Sequence, residues 1–214
     1  MDFVEFTSDT YPAVLRAALE HVVLVLQGLG LAALIGLPLA ALTYRTRSRA
    51  VVLATAGVFL TIPSYALFGL LITPLGLGTA PSVAALTMYA LLPVLRNAVV
   101  GLREVDPAVV ESARGMGMGR GQVLTRVELP LALPVIITGL RVAAQLLLGI
   151  AAIAAAVNGP GLGNLILQGL SSAGTPFAIY LTLQGILGIV VLAILFDLCF
   201  AVLGRLTTSR GIHV

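Results

Sequence analysis

Histidine, cysteine and paired carboxylates carry much of protein chemistry, and this 214-residue chain has few of them to bring together. His21 and His213 stand at opposite ends, and the single cysteine, Cys199, lies in an apolar run where it completes no metal cluster and closes no internal disulfide. No GxxxxGK[ST] phosphate loop occurs, so nucleotide hydrolysis is not built into the chain. The expectation is no catalytic residue, no metal and no cofactor here. Two arrangements of charge remain. One is ESARGMGMGRGQVLTRVELP, residues 111 to 130, a charged and glycine-rich segment between long apolar runs. The other is Arg141 with Asp197, two isolated charges that flank one such run.

The elements that position these residues follow from composition. Hydrophobic residues make up 59% and charged ones 10%, against roughly a quarter charged in soluble domains, so a water-facing surface cannot be built from this chain. Charge is absent from Val22 to Tyr44, from Ala50 to Leu95 and from Val142 to Phe196, while one crossing needs only about 20 apolar residues. Turn-forming clusters at Pro74–Pro81 and Asn158–Asn164 divide the two longer runs. The chain therefore reads as a single all-α transmembrane domain over 1–214, of about five helices near 22–43, 51–73, 82–100, 134–157 and 178–203. Ahead of them, Ser8 to Arg16 reads as the start of a short external helix with Pro12 near its first turn, and the acidic Asp2, Glu5 and Asp9 are unlike a signal peptide.

All twelve basic residues are arginines. Arg45, Arg47 and Arg49 follow the first span, Arg96, Arg103, Arg114, Arg120 and Arg126 lie between the third and fourth, and Arg205 and Arg210 close the chain; Arg16 alone falls on the other side. Positive loops stay inside, which puts the N-terminus outside and both the 101–133 loop and the C-terminus in the cytoplasm. This topology accounts for the net charge of +3 without nucleic acid as a partner.

Within that loop, Asp106–Pro107 is a helix-start signal. A short helix is expected from Pro107 to about Arg114, stopped by the glycines at 115, 117 and 119. Ala108, Glu111 and Ser112 recur at helical spacing on one small, polar face, with Glu111 as a charged anchor for a basic or amide partner. Read alone, this is also what a capped linker helix in a solvated loop looks like. Leu129–Pro130 and Pro134 shape the chain as it returns to the membrane.

The spacing resembles a known signature. Glu111, Ser112 and Ala113, then Gly117 after three residues, Val127 after nine more, and Leu129–Pro130 resemble the coupling loop of bacterial ABC importer permeases, with Ser112 for the usual Ala and Val127 for the commoner Ile. The stretches IGLPLA (35–40), TIPSYALFGLL (61–71), YALLPVLRNAVVGL (89–102), VELPLALPVIITGLR (127–141) and GPGLGNLILQGL (159–170) resemble the osmoprotectant branch, importers of glycine betaine, choline and carnitine. Together they cover most of the chain after Leu31. The resemblance implies a type I importer transmembrane fold, like that of methionine importers, in a bacterial inner membrane, with Glu111, Ser112, Ala113, Arg114, Gly115, Gly117, Leu129 and Pro130 engaging a cytoplasmic ATPase dimer that holds the ATP and Mg. It also implies a second permease subunit, identical or homologous, and an extracytoplasmic substrate-binding protein. Another small cargo such as methionine is the alternative. An ion-coupled secondary transporter is the reading from a different class, and it would need more charge inside the spans.

Traces of the transport path are sparser. Pro63–Ser64 interrupts the second span, either as a broken helix lining a path or as a kink that neighbours satisfy. Tyr65 and Tyr89 either offer aromatic faces to a quaternary ammonium or serve as packing and interface residues; Asn97 is placed with them. With no Trp in the chain, tight cation selection is expected on the binding protein. The Gly159–Asn164 loop either approaches an exit gate or simply connects spans. Arg141 and Asp197 lie at matching depth, either paired or each snorkelling to headgroups.

Overall fold

The computed structural model describes residues 2–207; Arg210 and His213 lie outside them. Among the described residues every regular element is helical: α1 (Phe3–Thr43), α2 (Ser48–Thr61), α3 (Ser64–Leu75), α4 (Thr79–Glu104), α5 (Pro107–Gly115), α6 (Arg120–Val123), a π-helical turn (Leu124–Glu128), α7 (Leu129–Ala151), a 3-10 turn (Ala152–Val157), α8 (Gly163–Ser171) and α9 (Ala178–Thr207). Lipid offers no partners to backbone polar groups, and a helix satisfies its own. Four helical stretches, Phe3–Thr43, Thr79–Glu104, Arg120–Val157 and Ala178–Thr207, are long and apolar enough to cross a membrane, and α2 with α3 make up to a fifth crossing.

The separate N-terminal helix expected from Ser8 is absorbed into α1. That helix starts at Phe3, capped by Asp2, whose carboxylate accepts the Glu5 N–H at 2.8 Å; Pro12 lies in its interior. The reason is tertiary. Phe6 stacks on Phe177 and Phe3 meets Tyr180 edge-on, with ring centroids 5.4 and 5.7 Å apart, while Gln184 donates to the Thr7 and Thr10 hydroxyls. These contacts dock the first turns of α1 on the start of α9.

The second crossing departs further from one straight helix, because α2 and α3 meet at 99°. Pro63 has no N–H to give and disfavours the helical region for Ile62, whose ψ is 127°. The Ile62 carbonyl released by the break accepts the Tyr89 hydroxyl at 2.6 Å. A further departure is α8, a short helix inside a region expected to be connection. On the same side, the Gly78 N–H donates to the Val157 carbonyl at 2.7 Å, joining the two interrupting turns.

Helix α4 packs between α1 and α7 at the centre of the domain. Helices in lipid gain little from apolar burial against each other and associate through close packing of small residues. At the α4–α7 crossing a Cβ on Gly139 would stand 2.5 Å from the Asn97 Cβ and 3.0 Å from the Pro93 carbonyl oxygen, so only glycine fits. Buried His21 donates from Nε2 to the Leu148 carbonyl at 3.1 Å, which is a structural tie between α1 and α7. In helix α9 only Gln184, Gly185 and Leu192 are buried.

Candidate functional site

The loop between α4 and α7 is built around α5. Asp106 accepts the Ala108 N–H at 2.8 Å and Pro107 takes the first turn, where its missing donor costs nothing. At the other end the Gly117 N–H donates to the Arg114 carbonyl at 2.9 Å and the Met118 N–H to the Ala113 carbonyl at 3.2 Å. This is the Schellman ending, with Gly117 in the left-handed region at φ +87°. Of the three glycines expected to stop the helix, Gly117 makes the stop; Gly115 is the last helical residue, and Gly119 begins α6 by donating its N–H to Gln122 at 3.0 Å.

One face of α5 is held and the other is free. Val110 and Ala113 are buried against Val123, with Val127 and Met118 packed beside them. Ala108, Glu111, Ser112 and Arg114 face outward. Ser112 returns its hydroxyl to the Ala108 carbonyl at 2.8 Å, and the Glu111 carboxylate has no hydrogen bond or ion pair with another described residue. The result is a short rigid peg with an unused carboxylate.

The return segment locks the peg to the bundle. Val127 lies under α5 and Leu129 packs into the cluster around Ala98 and Ala132. Pro130 can neither donate to the carbonyl one turn earlier nor tolerate it close by; a wider π turn precedes it, closed by the Leu129 N–H on the Leu124 carbonyl. Glu128 ends that turn and is 1% exposed. Its carboxylate accepts the Tyr44 hydroxyl at 2.6 Å and the Arg45 guanidinium, and that guanidinium also lies over the Tyr44 ring, 5.2 Å from its centre. Burial first, and then the bond to Glu128, push the Tyr44 hydroxyl up to about 12. Sequence reasoning passed over Glu128, which occupies the unspecified position between Val127 and Leu129. A signal was available, since it is the sole acid between Glu111 and Asp197.

A cleft of about 410 Å³ opens beside this arrangement, lined in part by Tyr44, Arg45, Arg49, Arg103, Glu111 and Arg114. Arginines from just past the end of α1, the start of α2, the end of α4 and α5 itself thus converge at one end of the bundle.

Elsewhere, the residues expected along a path lie at the α2–α3 break and on α4, and the Tyr89 hydroxyl reaches the break beside Pro63. Pro63 and Tyr65 are exposed, Tyr65 at 70%, and Ser64 opens α3. Tyr65 borders a cavity of about 190 Å³ with Ala152, Ala156 and Leu170, so the break in the second crossing sits against the 3-10 turn. Tyr89 is 3% exposed with its hydroxyl committed to Ile62, and Asn97 donates to the Pro93 carbonyl of its own helix at 2.8 Å. These two belong to the packing of α4. Arg141 and Asp197, half-exposed on the isolated chain, meet between α7 and α9.

Residues 28–209 match the family described as binding-protein-dependent transport system inner membrane component. An osmoprotectant import permease protein of Salmonella typhimurium is 40% identical over the whole of both chains (100% of each). A choline transport system permease protein of Bacillus subtilis is 33% identical, covering 98% of this chain and 95% of its own. A carnitine transport permease protein of Listeria monocytogenes is 38% identical, covering 83% and 79%. Among solved structures, the MetNI methionine ABC transporter in an inward-facing conformation superposes with a TM-score of 0.83 at 22% identity, over 94% of this chain and 99% of that one. The fold is that of a type I ABC importer permease.

Proposed function

Because the chain belongs to the family of binding-protein-dependent transport system inner membrane components, we propose that it forms part of the path by which an ATP-driven importer carries quaternary-amine osmoprotectants such as glycine betaine, choline and carnitine. The cargo rests on full-length similarity to permeases named for osmoprotectant, choline and carnitine transport. The likeness to the methionine transporter, at 22% identity, speaks for the fold alone. Family membership displaces the ion-coupled transporter.

The observation that carries the coupling reading is α5, capped at both ends, pinned from beneath by Val110 and Ala113, and presenting Glu111 outward. A peg of that kind fits a groove on a cytoplasmic ATPase dimer, which would hold the ATP and Mg. Glu111, Ser112 and Arg114 supply the contact face; Ala113, Gly115 and Gly117 set its shape; Leu129 and Pro130 fix its return. In this reading the arginine-bearing end and the 101–133 loop are cytoplasmic, the N-terminus is external, residues 1–214 are one permease domain, and a second permease subunit and an extracytoplasmic binding protein complete the importer. Arg141 with Asp197, and Pro63, Ser64, Tyr65, Tyr89 and Asn97, shape the transmembrane path or its supporting walls.

The test is uptake by proteoliposomes that contain this permease, its partner ATPase and the matching binding protein. ATP-dependent accumulation of glycine betaine, choline or carnitine is the expected outcome. Accumulation of methionine alone would reassign the cargo, and no ATP-dependent uptake of any of them would overturn the reading.

A further inference from the structure

We propose that Tyr44, Arg45 and Glu128 form a latch that makes the inner end of α1 and the return segment of the coupling loop move as one body, with Glu128 as its positioning residue. This rests on the coupling role proposed for α5. Tyr44 and Arg45 follow α1 directly, and Glu128 ends the π turn that carries the loop back into α7, so the contact joins positions 84 residues apart. A carboxylate that is 1% exposed is left as an uncompensated buried charge if its partners are removed, which is strongly disfavoured. The partners therefore stay, and a displacement of the loop is delivered to α1 as well as to α7.

The length of α1 gives this consequence reach. It is 41 residues long and packs on α4, α7 and α9. At its far end Phe6 on Phe177, and Gln184 on Thr7 and Thr10, tie it to α9. The loop thus has two outputs. The covalent one runs through α7, and the latch adds α1, whose first turns meet the start of α9.

Hydrogen exchange separates the latch from simple stabilisation. Tyr44→Phe keeps the ring under Arg45 and deletes one hydrogen bond. In the free permease in nanodiscs, exchange at residues 39–49 and 120–130 should rise together, about tenfold or more, the factor expected for one lost hydrogen bond to a charged group, with 163–207 unchanged. In the permease–ATPase complex, trapping with Mg-ATP and vanadate should alter exchange at 39–49 in the wild type, less in Tyr44→Phe, which keeps the Arg45–Glu128 ion pair, and not in Glu128→Ala. Glu128→Gln, which still accepts from Tyr44, should recover more of that response than Glu128→Ala. Equal exchange in free wild type and Tyr44→Phe, or a nucleotide response at 39–49 that persists in Glu128→Ala, would overturn the latch. Should Glu128→Ala not fold, Tyr44→Phe decides alone. Failure of the ATPase to bind the wild type would defeat the coupling reading, and exchange of the free permease would still judge whether Tyr44 and Glu128 tie the two segments.

Discussion

Arg141 and Asp197 share two parallel hydrogen bonds, Nε to Oδ1 at 2.7 Å and Nη2 to Oδ2 at 2.6 Å, which join α7 to α9 across 56 residues of sequence. Gln145 reinforces the joint by donating to the Ala193 carbonyl at 2.9 Å. Each charge is costly in an apolar span unless paired. Asp197→Asn or Arg141→Gln should therefore lower the yield of folded permease, read by size-exclusion chromatography, more than the double replacement does. Wild-type yield from both single variants would refute the pairing's importance.

The α4–α7 crossing depends on an absent side chain. Gly139→Ala puts a methyl group against backbone at Pro93 and the Asn97 Cβ, and overpacking of this kind costs roughly 1–3 kcal/mol. The unfolding midpoint in detergent should fall clearly. Gly30→Ala, with nothing within 4 Å of its new methyl, should match the wild type or exceed it. Equal midpoints for the two variants would mean the crossing can relax.

Two tyrosines that look alike in sequence should behave differently. Tyr89→Phe strands the Ile62 carbonyl at the helix break and should cost about 1 kcal/mol of stability or more. Tyr65→Ala removes an exposed ring, so stability should hold and any change should appear in uptake rate. Thermal unfolding and uptake measured on both variants check this, and a stable Tyr89→Phe would remove the tether.

Gly117 meets nothing within 4 Å, so replacing it acts through backbone conformation. A non-glycine residue in the left-handed region costs about 1–2 kcal/mol. Gly117→Ala should loosen the end of α5, and Gly117→Asn should do so less. Amide exchange at 113–118 reads the difference; equal protection in all three proteins would contradict it.

The crossings and the loop were legible because their signals are local. Charge-free runs longer than a bilayer, arginines flanking them, and Asp106–Pro107 before a glycine-ended helix each depend on neighbours in sequence. What escaped notice depends on distant partners. The start of α1 at Phe3 follows from Phe177 and Tyr180, so Pro12 could be mistaken for a first-turn residue. The π turn adds a residue and advances the register by about 100°, which hides the inward placement of Glu128 from any regular helical count. Helix α8 is too short to stand out as a span. The hydroxyl of Tyr89 has meaning only once α4 faces the break at Ile62.

On the proposed reading, α5 delivers ATP-driven work through its free face. The most direct test is ATP hydrolysis by the reconstituted importer, stimulated by substrate-loaded binding protein, for wild type and Glu111→Ala. The Glu111 carboxylate has no partner among the described residues, so its loss should leave folding and expression intact. Stimulated hydrolysis and uptake should fall about tenfold or more, since a hydrogen bond to a charged group is worth roughly 1.5–3 kcal/mol. Full stimulation and uptake in Glu111→Ala would contradict the account.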